Sequence, residues 1–471
     1  MSNALSNTRK LDAITTPASG TAAAIQAAID ALGAAGGTVI LSKSVASYDF
    51  GGVTIKPNVT IQGPFELVGS PATNSSAPYG SLGGAITIGS GATCTIKGGA
   101  GLSGCLIYRS GMTFPAANSS AFAGTALTAG GDDCFVRSSM ILGFALAYTS
   151  SGYQRPRLHD VYFDCNSGLL IDNCADLSHI RNVHGWPFAT IATLGGASTL
   201  QRSGTAFKFT TLADWCKLTD CFSYGYLTGF WSSGVNSMTY LGCAADGTTG
   251  YSGSKGFAIT GGSTDTRLVA CQAAAQETGV YVSTNAGLAT SLLGVNVWGC
   301  DAHGVLIDAG DVTISGGVIR TLPNGVSVSS ATSRVFANHI RFSAISGKPF
   351  NAGTATTLLF IGDECDYGDY GSAVASSSAT PQVIASASAV TVPPSGKTFN
   401  VTGTTGIGTF NGGWNEREIT LIFGAAGEVY SSTGTTAAAR LNGGATFTTA
   451  AGSTLTLRHN GTQWYETGRS A

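Results

Sequence analysis

Three acidic residues, Asp246, Glu277 and Asp301, occur at comparable places in successive segments of a repeat, and Arg320 follows in the next segment. If these segments stack as coils of a β-solenoid, the side chains share one rim, with neighbouring coils about 5 Å apart and alternate coils about 10 Å apart. Glycoside hydrolysis needs two carboxyl groups, about 5 Å apart in retaining enzymes and about 6.5–9.5 Å apart in inverting ones. The pattern therefore predicts a catalytic pair made of Glu277 with Asp246 or Asp301. The alternative is that these are ordinary solvated acids, which turns favour.

Aromatic and polar side chains accompany these acids. Tyr251 lies in a five-residue insertion that Asp246 opens, and Trp231 and Tyr281 belong to a predicted outward stripe. Exposed aromatic side chains in line indicate either a subunit interface or a surface on which sugar rings stack. The predicted substrate-binding residues are Trp231, Tyr251, Tyr281, Trp298, His303 and Arg320.

A second candidate site is the segment RLHDVYFDCN (157–166), which contains His159, Asp160 and Asp164. Asp160 falls at an anchor position of the repeat, so we expect Asp164 to lie on an exposed turn like the rim acids. The alternative for His159 and Asp160 is turn chemistry without catalysis.

A polysaccharide lyase would instead need a base that abstracts the proton α to a uronate carboxyl group. The available bases are His179, Arg181, His184, Lys208 and Arg267. The sequence contains no Asp-rich calcium cluster, so hydrolysis ranks above lyase chemistry. No metal and no cofactor are predicted.

The elements that position these residues come from a repeat of 21 to 28 residues. In each segment an apolar residue precedes a small or polar anchor by three places, and a glycine introduces a short strand. The predicted apolar rung is Leu218, Tyr240, Leu268, Leu293, Ile314 and Phe336. The predicted anchors include Cys221, Cys243, Cys271, Asn296, Gly317 and His339. Such a period is typical of a solenoid in which each coil buries its apolar face against its neighbours.

Short strands follow the glycines, for example Phe230–Ser232, Phe257–Ile259 and Val280–Val282. Their first and third residues are predicted to point inward and the middle residue outward. The predicted outward stripe is Leu170, Lys208, Trp231, Ala258, Tyr281, Leu306 and Ser327. The fold class is therefore all-β, a parallel β-helix.

Composition narrows the possible functions. Only 11% of the 471 residues are charged, 66 are glycine, and the net charge is −2, which argues against a nucleic-acid partner. No apolar run is long enough for a membrane span. The start of the chain is polar and has no signal-peptide core, and the 11 cysteines form no C-x-x-C pair. We therefore expect buried free thiols and synthesis in a reducing cytoplasm.

The segment 21–34 (TAAAIQAAIDALGA) predicts an amphipathic helix with Ile25, Ile29 and Leu32 on one face, capped by Thr21 or Ser19. With the strand that follows Gly36–Gly37, the stretch 21–63 resembles the opening of pectate-lyase-like β-helix proteins. A helix at this place covers the open end of the coil stack.

The C-terminal part, 379–471, resembles the small β-domain that ends many phage tail proteins, on the motifs REITLIFGAAGEV (417–429) and GSTLTLRHNGTQWYETGRS (452–470). Its alternating strands predict a small sandwich-like domain. The predicted domains are 1–36 (N-terminal segment and capping helix), 37–375 (β-helix) and 376–471 (C-terminal β-domain).

Together the two ends resemble bacteriophage tailspike depolymerases with a right-handed parallel β-helix. The resemblance implies a homotrimer on the virion tail, attached to a tail or baseplate protein, that binds and cleaves O-antigen, capsule or exopolysaccharide. Family members often carry a virion-anchoring domain ahead of the β-helix, whereas 20 residues precede the helix in this sequence. The alternatives left open are a receptor-binding spike without cleavage, a structural tail trimer and a secreted pectinase-like enzyme.

Overall fold

The computed structural model describes residues 13–65, 82–190, 200–285, 287–330, 332–351, 358–361, 365–366, 382–392, 397–413, 416–431 and 438–470. The chain divides into two compact units, Met1–Thr357 with Ile361–Ala375, and Leu358–Phe360 with Ser376–Ala471. The predicted domain boundary at residues 375 and 376 and the first twelve residues lie outside the described residues.

The first unit is a right-handed parallel β-helix, as the sequence predicts. Its strands in the first half are β1 (Ile14–Thr15), β2 (Gly37–Ile40), β3 (Ser47–Asp49), β4 (Thr54–Ile55), β5 (Val59–Gln62), β6 (Ala85–Ile88), β7 (Cys94–Ile96), β8 (Gly101–Ser103), β9 (Leu106–Arg109), β10 (Thr125–Ala129), β11 (Phe135–Leu142), β12 (Leu146–Ser151), β13 (Arg157–Asp164), β14 (Ser167–Asp172) and β15 (His179–Gly185). Those in the second half are β16 (Arg202–Thr210), β17 (Lys217–Thr219), β18 (Phe222–Tyr224), β19 (Tyr226–Ser233), β20 (Thr239–Leu241), β21 (Ala244–Asp246), β22 (Lys255–Thr260), β23 (Thr266–Val269), β24 (Gln272–Ala274), β25 (Thr278–Ser283), β26 (Ala289–Trp298), β27 (His303–Ala309), β28 (Asp311–Val328), β29 (Arg334–Asn338) and β30 (Arg341–Asn351). A further strand, β31 (Leu358–Ile361), includes residues of both units.

Each coil contributes strands to three parallel sheets, because each strand pairs with the equivalent strand one coil away. The first sheet contains β17, β20 and β23, the second contains β18, β21 and β24, and the third contains β14, β16, β19, β22, β25 and β27. Longer strands such as β13, β15, β26 and β28 pass from the first sheet into the second.

The helix α1 (Ala22–Ala31) precedes β2, and it matches the predicted capping helix. The hydroxyl oxygen of Thr21 accepts a hydrogen bond from the Ala24 amide, so Thr21 is the N-cap. Ile25 and Ile29 are fully buried, which confirms the predicted apolar face.

A residue with a left-handed backbone forms the corner between the first and second sheets. Its φ is 53° at Asp220, 63° at Gly242, 51° at Ala270, 62° at Gly294 and 71° at Gly316. The residue after each corner points inward, since the chain reverses its alternation there. This confirms the predicted inward ladder of thiols, because Cys221, Cys243 and Cys271 stack on successive coils and are buried.

The predicted rung is confirmed at Leu218, Tyr240 and Leu268, which pair in register. It is wrong at Leu293, because Leu268 pairs with Leu292 instead. Leu293 points outward and is 37% exposed.

The rung is also wrong at Phe336, because Ile314 pairs with Ala337 and Phe336 is 45% exposed. The prediction sets the corner one residue late at Leu293 and one residue early at Phe336, since the left-handed corners are Gly294 and His339. Accordingly, the inward anchors are Val295 and Ile340 rather than Asn296 and His339.

The third sheet has the register that the sequence predicts along its whole outward stripe. Neighbouring partners run through Leu170, Lys208, Trp231, Ala258, Tyr281, Leu306 and Ser327. Behind the stripe, Phe207, Phe230 and Phe257 stack inward with ring centroids 4.6 and 4.8 Å apart.

The second unit holds a mixed six-stranded sheet and two two-stranded sheets. Its strands are β32 (Gln382–Ala385), β33 (Ala389–Thr391), β34 (Thr398–Thr402), β35 (Thr409–Asn411), β36 (Glu418–Phe423), β37 (Gly427–Val429), β38 (Ala439–Arg440), β39 (Phe447–Thr449), β40 (Thr454–His459) and β41 (Trp464–Ser470). Phe399, Leu421 and Leu455 belong to its own buried core, so this unit packs as the sandwich-like domain that the alternation predicts.

The corrected register predicts opposite effects for two adjacent leucines. Leu292→Ala removes an inward side chain and should lower the free energy of unfolding by about 2–5 kcal/mol. Leu293→Ala removes an outward side chain and should change the free energy of unfolding of the separated chain by no more than about 0.5 kcal/mol. Chemical denaturation of both variants measures the difference. A larger loss of stability for Leu293→Ala than for Leu292→Ala would support the register that the sequence predicts, with Leu293 inward.

Candidate active site

Three loops gather at the corner between the second and third sheets. They are 110–124, 186–190 with 200–201, and 247–254. The Ala116 amide donates to the Ala189 carbonyl oxygen at 2.7 Å, and the Ser119 hydroxyl donates to the Gln201 carbonyl oxygen at 3.1 Å. The Gln201 side-chain amide in turn donates to the Thr248 hydroxyl oxygen at 3.2 Å. Loops inserted in separate coils therefore form one continuous wall.

A polar groove of about 390 Å³ lies among these loops, and we call it the corner groove. Its lining residues are Asn118, Ser119, Ser120, Asn166, Gln201, Ser203 and Tyr251. The side-chain oxygen of Asn166 is buried and has no hydrogen-bond partner among the described residues. The Tyr251 hydroxyl donates to the Arg202 carbonyl oxygen at 3.1 Å. Amide and hydroxyl groups that line a groove can recognise the hydroxyl groups of a sugar.

A buried ion pair lies beside the corner groove, since Arg202 stands between two of its lining residues, Gln201 and Ser203. Asp164 and Arg202 are almost fully inaccessible, and Arg202 Nε and Nη2 lie 2.8 and 2.7 Å from Asp164 Oδ1. The Ala189 amide donates to Asp164 Oδ2 at 2.7 Å, and Arg202 donates to the Thr190 hydroxyl oxygen at 2.7 Å. The expectation of an exposed turn at Asp164 is therefore wrong, because loop residues and an arginine from the next coil cover this strand end.

An outward stripe on the second sheet leads into this corner, and we call it the acid stripe. In register its members are Tyr224, Asp246, Ala274, Trp298 and Arg320. Three predicted site residues, Asp246, Trp298 and Arg320, thus share one face. The Arg320 guanidinium lies 5.4 Å from the centre of the Trp298 ring.

Trp186 extends the acid stripe by one coil. Its ring centroid lies 4.6 Å from that of Tyr224, and its indole nitrogen has no hydrogen-bond partner among the described residues. The stripe therefore presents aromatic rings on both sides of Asp246, an arrangement on which sugar rings can stack.

Asp246 is the half-buried acid of this stripe, and burial raises the pKa of its carboxyl group above the usual value. The pKa of the neighbouring Tyr224 is also raised, first by burial and then by the charge of Asp246. A carboxyl group that keeps its proton to higher pH suits the role of a general acid.

Glu277 and Asp301 lie at the same corner on adjacent coils, as the sequence predicts. The Asp301 and Ala302 amides donate to the carbonyl oxygens of Gln276 and Glu277. Both carboxylates hold the loop 247–254, which begins directly after Asp246. Glu277 Oε2 accepts from the Gly253 amide at 2.7 Å.

Asp301 Oδ2 accepts from the Gly250 amide at 2.8 Å. Each acid therefore uses one oxygen to fix the loop that carries Tyr251. His303 lies close to Glu277. Burial lowers the pKa of the His303 imidazole, and the charge of Glu277 offsets part of this effect by raising it. His303 Nδ1 also lies 2.8 Å from the Ser327 hydroxyl oxygen.

The third sheet carries Trp231 and Tyr281, away from the acid stripe. A lysine covers each ring, with Lys208 Nζ 4.3 Å from the Trp231 ring centre and Lys255 Nζ 5.2 Å from that of Tyr281. The Trp231 indole nitrogen donates to the Thr260 hydroxyl oxygen at 2.8 Å.

The structure does not bring His159 and Asp160 to the corner groove. Asp160 is a left-handed corner residue at the end of the first sheet, with φ of 55°, and it accepts a hydrogen bond from Asn182 at 2.8 Å. His159 has its pKa lowered by burial and then by Arg181. The turn alternative therefore accounts for these two residues.

The candidate lyase bases are spread over different sheets. His179, Arg181 and Arg267 lie on the first sheet, and Lys208 lies on the third. His184 is on the second sheet, where it packs on Phe222 with centroids 4.8 Å apart and burial lowers its pKa to about 4.

Sequence reasoning missed Trp186, Tyr224, Arg202 and the loop 110–124. The only available signal was length, since the chain between β15 and β16 is longer than a plain coil requires. Among the described residues, no group of three acidic, His or Cys side chains is placed to hold a metal ion. No helix in the described part of the chain could span a membrane.

No family model matches this sequence, and no curated protein is similar to it. Several solved structures match most of this chain, all at low sequence identity. The catalytic unit of a GH87 α-1,3-glucanase from Streptomyces thermodiastaticus is 13% identical, covering 72% of this chain and 70% of its own, with a TM-score of 0.39. PfbA, a surface adhesin of Streptococcus pneumoniae, is 12% identical over 70% and 89% of the two chains, with a TM-score of 0.43. An endo-xylogalacturonan hydrolase from Aspergillus tubingensis is 11% identical over 76% and 99%, with a TM-score of 0.37.

The buried ion pair predicts a strong effect of Arg202→Leu. It leaves Asp164 charged and unpaired, so it should cost about 3–5 kcal/mol of stability and loosen the three loops. Thermal unfolding and limited proteolysis at 110–124 and 247–254 measure both effects. Arg181→Leu, which removes an exposed arginine, is the matched control. Equal stability and equal proteolysis of Arg202→Leu and Arg181→Leu would contradict a structural role for the ion pair between Asp164 and Arg202.

Proposed function

We propose that this protein binds and cleaves a bacterial surface polysaccharide by endo-acting hydrolysis, as a phage tailspike depolymerase. The observation that carries the proposal is the position of Asp246, half-buried between aromatic rings and beside a polar groove. A glycan chain laid along the acid stripe would pass this carboxyl group and enter the corner groove.

In this proposal Asp246 protonates the leaving glycosidic oxygen, since its raised pKa keeps it protonated longer than an ordinary aspartate. Glu277 or Asp301 acts as the second carboxylate, because each has one oxygen outside its loop contact. Trp186, Tyr224 and Trp298 stack on sugar rings, and Arg320 and Tyr251 bind sugar hydroxyl groups.

A receptor-binding spike without cleavage is the second candidate. It is favoured by the loop contacts of Glu277 and Asp301, which account for these acids without catalysis. A lyase is less well supported, because its candidate bases lie on separate sheets.

Measurement of new reducing ends after incubation with polysaccharides from candidate hosts distinguishes an enzyme that cleaves the polymer from a protein that only binds it. Asp246→Asn should lower the turnover number by about 100- to 10,000-fold while binding is kept. Asp220→Asn, at an exposed corner of the preceding coil, is the control and should stay fully active. Ultraviolet absorbance from an unsaturated sugar end would identify a lyase, and binding without products would support the second candidate. An unchanged turnover number in Asp246→Asn would remove the site assignment.

The pH profile follows from the same residue. A general acid must be protonated, so the turnover number should fall as pH rises through the pKa of Asp246. Burial places that pKa above the value of about 3.9 that is usual for aspartate. The pH dependence of the turnover number measures this limb. A limb at an ordinary aspartate pKa would exclude Asp246 as the acid.

We further propose a homotrimer attached to the virion tail, with host adhesion as its role. An exposed apolar ridge on the first sheet supports a subunit contact, since Leu241, Val269 and Leu293 stack outward on adjacent coils. Leu241 is 44% exposed. Exposed apolar side chains in contact with one another mark interaction sites in soluble proteins.

Light scattering should give three times the mass of one chain. The double variant Leu241→Arg, Leu293→Arg should lower that mass, because buried unpaired charge opposes association. Gln272→Arg, on the exposed face of the second sheet, is the control. A monomeric wild-type protein would contradict the trimer.

A further inference from the structure

A second depression, of about 290 Å³, adjoins the corner groove on the third sheet. Ser167 and Gly204 line it, and they directly follow Asn166 and Ser203, which line the corner groove. A polymer that occupies the corner groove can therefore continue into this depression, which we call the lysine depression.

The lysine depression has an apolar floor and one charged wall. Leu146 and Leu170 provide apolar surface, Thr205 provides a hydroxyl group, and Lys208 provides the charge. Leu170, Lys208 and Trp231 are partners on three adjacent coils, so their side chains lie about 4.8 Å apart along the sheet.

The ammonium group of Lys208 is positioned without an ion pair. It lies 4.3 Å from the centre of the Trp231 ring, and no carboxylate of the described residues is within ion-pair distance. The charge of Lys208 contributes to lowering the pKa of Asp172. The Asp172 carboxylate, however, already accepts hydrogen bonds from the hydroxyl groups of Ser151 at 2.9 Å and Thr210 at 2.8 Å. A half-buried cation held against an aromatic ring and facing a concave surface is well placed to bind an anion of a ligand.

We propose that the lysine depression is a subsite for an acidic sugar, whose carboxylate binds Lys208 while its ring lies over Leu170. The proposal rests on the proposed polysaccharide function and specifies its substrate as an acidic polysaccharide. A uronic acid or a pyruvate-substituted sugar has the required chemistry, since both combine an apolar ring face with one carboxylate.

The test uses immobilised, purified bacterial polysaccharides, both acidic and neutral, and a carboxyl-reduced form of each acidic polymer that binds. Wild-type protein should bind acidic members, and Lys208→Gln should weaken that binding by about 10- to 100-fold. The carboxyl-reduced polymers should bind both proteins equally. Lys217→Gln, an exposed lysine on the first sheet, should behave as wild type.

Selective binding of neutral polymers, or unchanged binding of acidic ones by Lys208→Gln, would overturn the subsite. So would a lower oligomer mass in Lys208→Gln, because a partner chain would then occupy the depression. Cleavage is scored separately on soluble polymers. Binding of acidic polymers without new chain ends would refute the hydrolase and leave the subsite supported. Cleavage of neutral polymers alone would support the hydrolase and refute the subsite.

Discussion

The left-handed residue at the corner between the first and second sheets sets the register of the whole β-helix. A shift of one residue in a strand turns every side chain to the opposite face. Because the corner recurs at Asp220, Gly242, Ala270, Gly294 and Gly316, the residues that follow it keep the same direction from coil to coil. The acid stripe exists only because this register is maintained over five coils. A left-handed backbone costs about 1–2 kcal/mol at a residue with a Cβ atom, so the stacked core must compensate it at Asp220 and Ala270.

The sequence predicts the third sheet better than the first, and the reason lies in the local patterns. On the third sheet a glycine precedes most of the inward–outward–inward segments, and one variable residue separates two apolar ones, as at Val280–Val282. On the first sheet two leucines follow one another at 292 and 293, and hydrophobicity alone cannot tell which is inward. At Phe336 and Ala337 the larger apolar residue is outside, which reverses the usual expectation. The corner, which decides both cases, is occupied by Asp, Gly, Ala and His, so it has no constant signature.

The burial of Asp164 was missed for a different reason, since it depends on contacts between distant segments. Asp164 resembles an exposed turn acid until Arg202, 38 residues later, is folded against it. Such an ion pair loses hydration when buried, and that loss is offset here by the Ala189 amide and the Thr190 hydroxyl group. Phe122 and Phe188, from two of the loops around it, also pack in a buried apolar cluster with Leu142. The ion pair adds directional contacts to that packing, and a groove with fixed walls binds its ligand with less loss of entropy.

The three rim acids illustrate how environment divides one residue class into different roles. Asp246 ends a strand under loop cover, so burial raises the pKa of its carboxyl group, whereas Glu277 and Asp301 accept hydrogen bonds from backbone amides. The two groups are linked, because the amides belong to the loop that starts at Gly247 and carries Tyr251. If Glu277 or Asp301 took up a proton during a reaction, its hydrogen bond to the loop would weaken at that moment. In the proposed hydrolase the second carboxylate would therefore work best while ionised, as a base or nucleophile, and leave proton donation to Asp246. In the proposed hydrolase, the roles of acid and of base or nucleophile would be divided according to which acid is buried and which acids are bonded to the loop.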